Sequence, residues 1–104
     1  MIPHISTLQD APIIQPNLDA KIMYASKELD IVHLHLNPQE KIPVHQNPVT
    51  VIFCVLQGKG ILTCRDDISE LNQYDVVEIP AGVERGLSNT SPGDLRVLVI
   101  KKLA

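Results

Sequence analysis

Residues 43–64 read PVHQNPVTVIFCVLQGKGILTC, and this stretch decides the fold. Residues 49–56 are a run of β-branched and apolar side chains with no helical period, of the length of one strand. Gln57-Gly58-Lys59-Gly60 follows, with two glycines available for positive φ, and residues 61–64 read as the return strand of a hairpin. The same rhythm extends outward in both directions. Upstream, residues 29–36 (LDIVHLHL) alternate at period two and end at Asn37-Pro38, and residues 43–45 are extended before Pro48 interrupts them. Downstream, residues 65–67 turn, residues 68–71 form a short strand, and residues 75–79 form another, stopped by Pro80-Ala81-Gly82. Residues 84–89 and 95–101 complete the series, separated by the loop Thr90-Ser91-Pro92-Gly93. About eight short strands without a convincing helix predict an all-β sandwich or barrel. The continuous apolar runs at 49–56 and 97–100 predict strands covered on both faces. Before residue 28, Ile13, Ile14 and residues 22–24 can add a strand, to this chain or to a partner subunit. The expected organisation is an N-terminal segment over 1–27 and a β-barrel over 28–104.

Bulk properties narrow the function. At 104 residues the chain has the size of one domain, with 44% hydrophobic and 20% charged residues, an ordinary soluble profile. A net charge of −3 argues against nucleic-acid binding, which needs a clustered basic surface. No apolar run approaches the length of a membrane span, and MIPHISTLQDAPII lacks the basic start and apolar core of a signal peptide, so a cytoplasmic protein is the expectation. Cys54 and Cys64 flank the turn at 57–60; two buried thiols are expected there, with a cross-strand disulfide as the alternative.

From Gln39 to Asn89 the chain resembles the cupin superfamily, whose fold is a double-stranded β-helix or jelly-roll barrel. The family's first motif, G-x5-H-x-H-x3/4-E-x6-G, falls on Gln39 through Gly58, with His45 and Gly58 matching. Its second, G-x5-P-x-G-x2-H-x3-N, falls on YDVVEIPAGVERGLSN from Tyr74, with Pro80, Gly82 and Asn89 matching. The resemblance implies a metal held by two histidines and a glutamate of the first motif and a histidine of the second. Here only His45 remains. Asn47, Val51 (Ile52 under the longer spacing) and Arg85 stand at the other three positions. A valine or isoleucine has no donor atom, an amide is a poor ligand for Zn, Fe, Ni or Cu, and a guanidinium has no lone pair and repels cations. No cofactor is therefore expected, and a divalent metal is the alternative to test.

Period two puts His45, Asn47, Val51, Phe53, Val55, Arg85 and Leu87 on the inner face of the barrel. His45, Asn47, Phe53 and Arg85 are the expected ligand-binding residues of an apolar pocket with a small polar cluster. Arg85 then replaces the metal as the positive charge and favours a carboxylate or phosphate. The competing arrangement swings Arg85 to the mouth to pair with Glu84 or Glu78. His33 and His35, two apart on a strand, offer an alternative metal set with His45. However, Val32, Leu34 and Leu36 make the better core face, which turns both histidines to solvent or a subunit interface. Tyr74 reads as a turn or rim residue.

These observations lead to three expectations of function. The first is a metal-independent cupin that binds a small anionic molecule. The second is a metal-independent isomerase or epimerase in which His45 moves a proton and Arg85 holds the anionic group; it needs a second acid/base group, for which only Tyr24 or Tyr74 is at hand. The third is dioxygenase-like chemistry on an atypical metal site of His33, His35 and His45. The resemblance and the apolar stretch before residue 28 also fit a homodimer.

Overall fold

Every run of β-branched residues is a strand in the computed structural model, which describes residues 2–104. The strands are β1 (Ile13–Gln15), β2 (Leu18–Ala25), β3 (Leu29–Leu36), β4 (Lys41–His45), β5 (Thr50–Gln57), β6 (Gly60–Cys64), β7 (Asp67–Leu71), β8 (Val76–Ile79), β9 (Arg85–Ser88) and β10 (Leu95–Lys102). They form a six-stranded sheet, β1-β2-β3-β10-β5-β8, and a four-stranded sheet, β4-β9-β6-β7, with every pairing antiparallel. Two sheets facing each other across one core are the all-β jelly roll that the strand rhythm predicts. Residues 1–27 supply β1 and β2, and β2 pairs with β3 of the same chain from Asp19↔His35 to Ala25↔Asp30.

The turn at 57–60 is not a hairpin. β5 pairs with β10 and β8, whereas β6 pairs with β9 and β7, so Gly58 and its neighbours carry the chain from one sheet to the other. Gly58 has φ +85°, and a Cβ there would run into the backbone carbonyl of Asp94. Both conditions demand glycine. The tight hairpin is instead β6–β7, closed at Cys64↔Asp67 with Arg65 in the left-handed region at φ 54°. This split also parts the cysteines. Cys54 lies on the outer face of the six-stranded sheet, Cys64 packs against the core from the four-stranded one, and both are free thiols.

The core follows the predicted parity. Val32, Leu34 and Leu36 of β3, Val51, Phe53 and Val55 of β5, Leu87 of β9 and Val97 of β10 are all buried. Each fully buried aliphatic side chain contributes roughly 1.5–3 kcal/mol relative to exposure. The outer face departs from expectation. Ile52, Cys54, Leu56, Leu98 and Ile100 are only half-buried and Val76 is 65% exposed, so β5 and β10 are not covered on both faces within the chain. Local apolarity reported that these strands are central; it carried no information about what lies over their second face.

Asn89 joins the two sheets at the closed end. Its Nδ2 donates to the carbonyls of Leu36 (3.1 Å) and Gly93 (2.8 Å), and its Oδ1 accepts from Ser91 N and Oγ. Every polar atom of this buried amide is satisfied, which accounts for its tolerance in a core.

Candidate functional site

Arg85 opens β9 two residues before the core residue Leu87, so strand alternation turns its side chain inward. Its strand neighbours are His45 on β4 and Cys64 on β6. The side chain is only 3% exposed. Its Nη1 donates one long bond to the Val83 carbonyl at 3.5 Å, and its Nε is buried with no partner. Neither Glu84 nor Glu78 pairs with it; the two ion pairs among the described residues both belong to His35. Burial pushes the Arg85 pKa below its ordinary value, with neighbouring Cys64 opposing the shift. A guanidinium nevertheless keeps its charge at any physiological pH, so Arg85 is a buried cation without a counter-ion among the described residues.

Arg85 lines a cavity of about 440 Å³ between the sheets. His45, Asn47 and Phe53 line the same cavity, so the four residues picked from the sequence converge on one space. They play different parts. Phe53 is a buried wall on β5, whereas His45 stands exposed at the mouth, at the end of β4. The His45 Nδ1 lies 3.1 Å from the Pro43 carbonyl. A carbonyl only accepts, so Nδ1 carries the hydrogen and Nε2 presents the lone pair of the neutral ring. Asn47 fixes the rim: its Oδ1 accepts from Val49 N at 3.2 Å, and its own carbonyl accepts from Gly82 N at 2.8 Å.

Several lining residues were not anticipated, among them Lys101, Ile14 and Gln15. Lys101 continues the inward parity of Val97 and Val99 along β10, and carrying period two to the end of that strand would have found it. Ile14 and Gln15 come from β1, whose placement depends on pairing with β2 and leaves no local signal. The remaining walls are apolar and include Leu18, Ala20, Val32, Leu34, Ile42 and Val99. No aspartate or glutamate lines the cavity, although acidic residues outnumber basic ones in the chain by 12 to 9. Tyr24 and Tyr74, 48% and 77% exposed, lie outside it.

His33, His35 and His45 do not meet. The first two lie on the outer face of the six-stranded sheet, and His45 belongs to the four-stranded one. Among the described residues no three His, Cys, Asp or Glu side chains are grouped to hold a metal ion. His35 is engaged instead, its Nδ1 donating to Asp19 Oδ2 at 2.9 Å with Asp94 Oδ1 at 3.6 Å from Nε2. Of the two settings expected for His33, solvent or a subunit interface, the structure overturns the first, since His33 is 7% exposed within the chain itself. It stands between Lys21 of β2 and Leu98 of β10, and Lys21 Nζ is tied to the Leu8 carbonyl at 3.2 Å, which brings the N-terminal segment over this face. Burial is the main cause that lowers the His33 pKa, followed by the charge of Arg96.

Two antiparallel sheets facing each other across one core, with a cavity between them, define a jelly-roll protein. The chain belongs to the cupin family: the sequence model of the cupin domain matches residues 32–101. Solved structures agree on the fold. An RmlC-like cupin from Shewanella frigidimarina aligns with a TM-score of 0.84 at 18% identity, over 99% of this chain and 93% of that one. An RmlC-like cupin with a double-stranded β-helix fold from Methanocaldococcus jannaschii gives 0.83 at 19% identity, over 98% and 92%. KdgF from a Halomonas species gives 0.81 at 17% identity, over 97% and 94%. A sequence search among curated proteins found no match.

Proposed function

We propose that this cupin binds a small anionic molecule between its sheets, with Arg85 as the anchor. The observation that carries the reading is the state of Arg85: a cation 3% exposed, facing a cavity, with an unpartnered Nε and no carboxylate beside it. Buried charges are rarely left unpaired, because desolvation is costly unless a partner of opposite sign arrives. A carboxylate or phosphate entering the cavity supplies that partner through charge-assisted hydrogen bonds. Asn47 adds an amide donor near Arg85, and Lys101 adds a second positive charge to a lining free of acids.

The positions where the family resemblance would put a metal do not suit one here. Val51 offers no donor atom, and Arg85 places a positive charge at the fourth position. A binding role is favoured over proton transfer because His45 is the one lining side chain with acid/base chemistry near neutrality, with neither tyrosine beside it.

The test is a thermal-shift screen of small carboxylates and phosphates on wild-type and Arg85→Ala protein. A ligand selective for the folded state raises apparent stability, and losing a hydrogen-bonded charge partner weakens binding on the order of 10- to 100-fold. Equal shifts in both proteins refute the anchor.

A further inference from the structure

We infer that the ligand is a carboxylate with a hydrocarbon body, a small aliphatic or aromatic acid rather than a hydroxylated acid or a sugar phosphate. This rests on the reading of Arg85 as the anion anchor and deepens it. Five polar side chains line the cavity: His45, Asn47 and Arg85 on the side of β4 and β9, Lys101 towards the end of β10, and Gln15 on β1. His45 stands opposite Arg85 in the β4–β9 register, and the carbonyl of Asn47 accepts from Gly82, three residues before Arg85. Three of the five polar lining side chains thus gather on one side, around the Arg85 guanidinium.

The opposing wall is Leu18 of β2, Val32 and Leu34 of β3, and Val99 of β10, with Phe53 beside them on β5. None of these side chains carries a hydrogen-bonding atom. The backbone donors and acceptors of β3 and β10 are committed to the ladders with β2 and β5 on either side. A ligand hydroxyl pressed against that wall gives up its water without a replacement partner, a loss on the order of tenfold in affinity for each hydroxyl. A methylene at the same place strengthens binding roughly fourfold. Those two slopes have opposite sign, so the wall discriminates strongly between acids of equal charge. At about 440 Å³ the space falls in the lower part of the range of small-molecule sites, which limits the body to a small one.

The experiment is titration calorimetry on the full chain with acetate, butanoate, hexanoate, gluconate, glucose 6-phosphate and 1-hexanol, repeated with Arg85→Gln. The expected result is affinity that climbs roughly fourfold per methylene from acetate to hexanoate. Gluconate and glucose 6-phosphate are expected to bind at least tenfold more weakly than hexanoate. Gluconate or glucose 6-phosphate equal to or tighter than hexanoate, or a series flat in chain length, overturns the hydrocarbon-body inference and leaves the anion anchor standing. Hexanoate binding unchanged in Arg85→Gln, 1-hexanol binding as well as hexanoate, or no binding of any acid or phosphate overturns the anchor itself, and this inference with it.

Discussion

Replacing Arg85 with methionine should make the ligand-free protein more stable, which is the opposite of what truncating a structural core residue does. The substitution keeps an unbranched stem and deletes the guanidinium. What is lost inside the protein is one 3.5 Å bond to the Val83 carbonyl, at the outer limit of a useful hydrogen bond. What is relieved is a buried Nε without a partner and a charge without a counter-ion. An unsatisfied buried donor costs about 1–3 kcal/mol, and exchanging buried ionic groups for apolar ones of similar volume is often stabilising by about 1–4 kcal/mol. The shorter methionine enlarges the cavity slightly, which offsets about 1 kcal/mol. The net expectation is a gain of about 1–2 kcal/mol, or a rise in Tm of roughly 5–10 °C for a domain of this size. The assay is equilibrium urea unfolding in a buffer free of carboxylate and phosphate. Far-UV circular dichroism should follow it, since the chain has no tryptophan. An unchanged m-value is required for the comparison to report stability alone. If Arg85→Met is instead less stable by 1 kcal/mol or more, the guanidinium is satisfied by the fold and the argument for an anion anchor collapses.

Three further outcomes follow from other parts of the molecule. Asn89→Ala removes the buried donor to the Leu36 carbonyl and the acceptor for Ser91, while the exposed Gly93 carbonyl keeps Ser91 Oγ at 3.2 Å, so urea unfolding should show a loss of about 2 kcal/mol; a loss below about 1 kcal/mol would mean that the Asn89 bonds are replaced by water. Gln39 (φ 69°) and Tyr74 (φ 73°) hold a backbone that costs a side-chain-bearing residue about 1–2 kcal/mol, so Gln39→Gly and Tyr74→Gly should each stabilise by roughly 0.5–1 kcal/mol after the entropy cost of glycine; destabilisation of both would remove the strain argument. His33 has a folded pKa below its ordinary 6.5, so near that pH the unfolded chain binds more protons than the folded one. Stability should therefore fall as pH drops from about 7.5 through 6.5 towards the folded value and then level off, and His33→Gln should flatten this part of the curve; an identical slope in the variant assigns it to another group.

Most of the strand inventory was legible because period-two alternation is a property of neighbouring residues. Alternation put His45, Asn47, Val51, Phe53, Val55, Arg85 and Leu87 on the inner face; the last five are buried, whereas Asn47 is half-buried and His45 is exposed at the end of β4. The two motifs located the turns as well. Gly58 and Gly82 hold φ of +85° and +80°, and Gln39 and Tyr74, at positions where the family carries glycine, keep the same left-handed backbone. Holding a side-chain-bearing residue in that backbone carries a local energetic cost.

Readable in the sequence alone were the all-β class, most of the inward row of side chains, and the presence of Asn47, Val51 and Arg85 at positions where the family resemblance implies metal ligands. Each of these is written in residue identity or in spacing of a few positions. It took the tertiary structure to show that β5 and β6 part to different sheets, that His33 is buried between β2 and β10, and that Lys101 and β1 join the cavity wall. It also showed that Arg85 finds no carboxylate among the described residues: Glu84, its chain neighbour, lies just before β9 and is exposed. Strand partners and burial depend on contacts between residues far apart in the chain, and those contacts leave no trace in local periodicity.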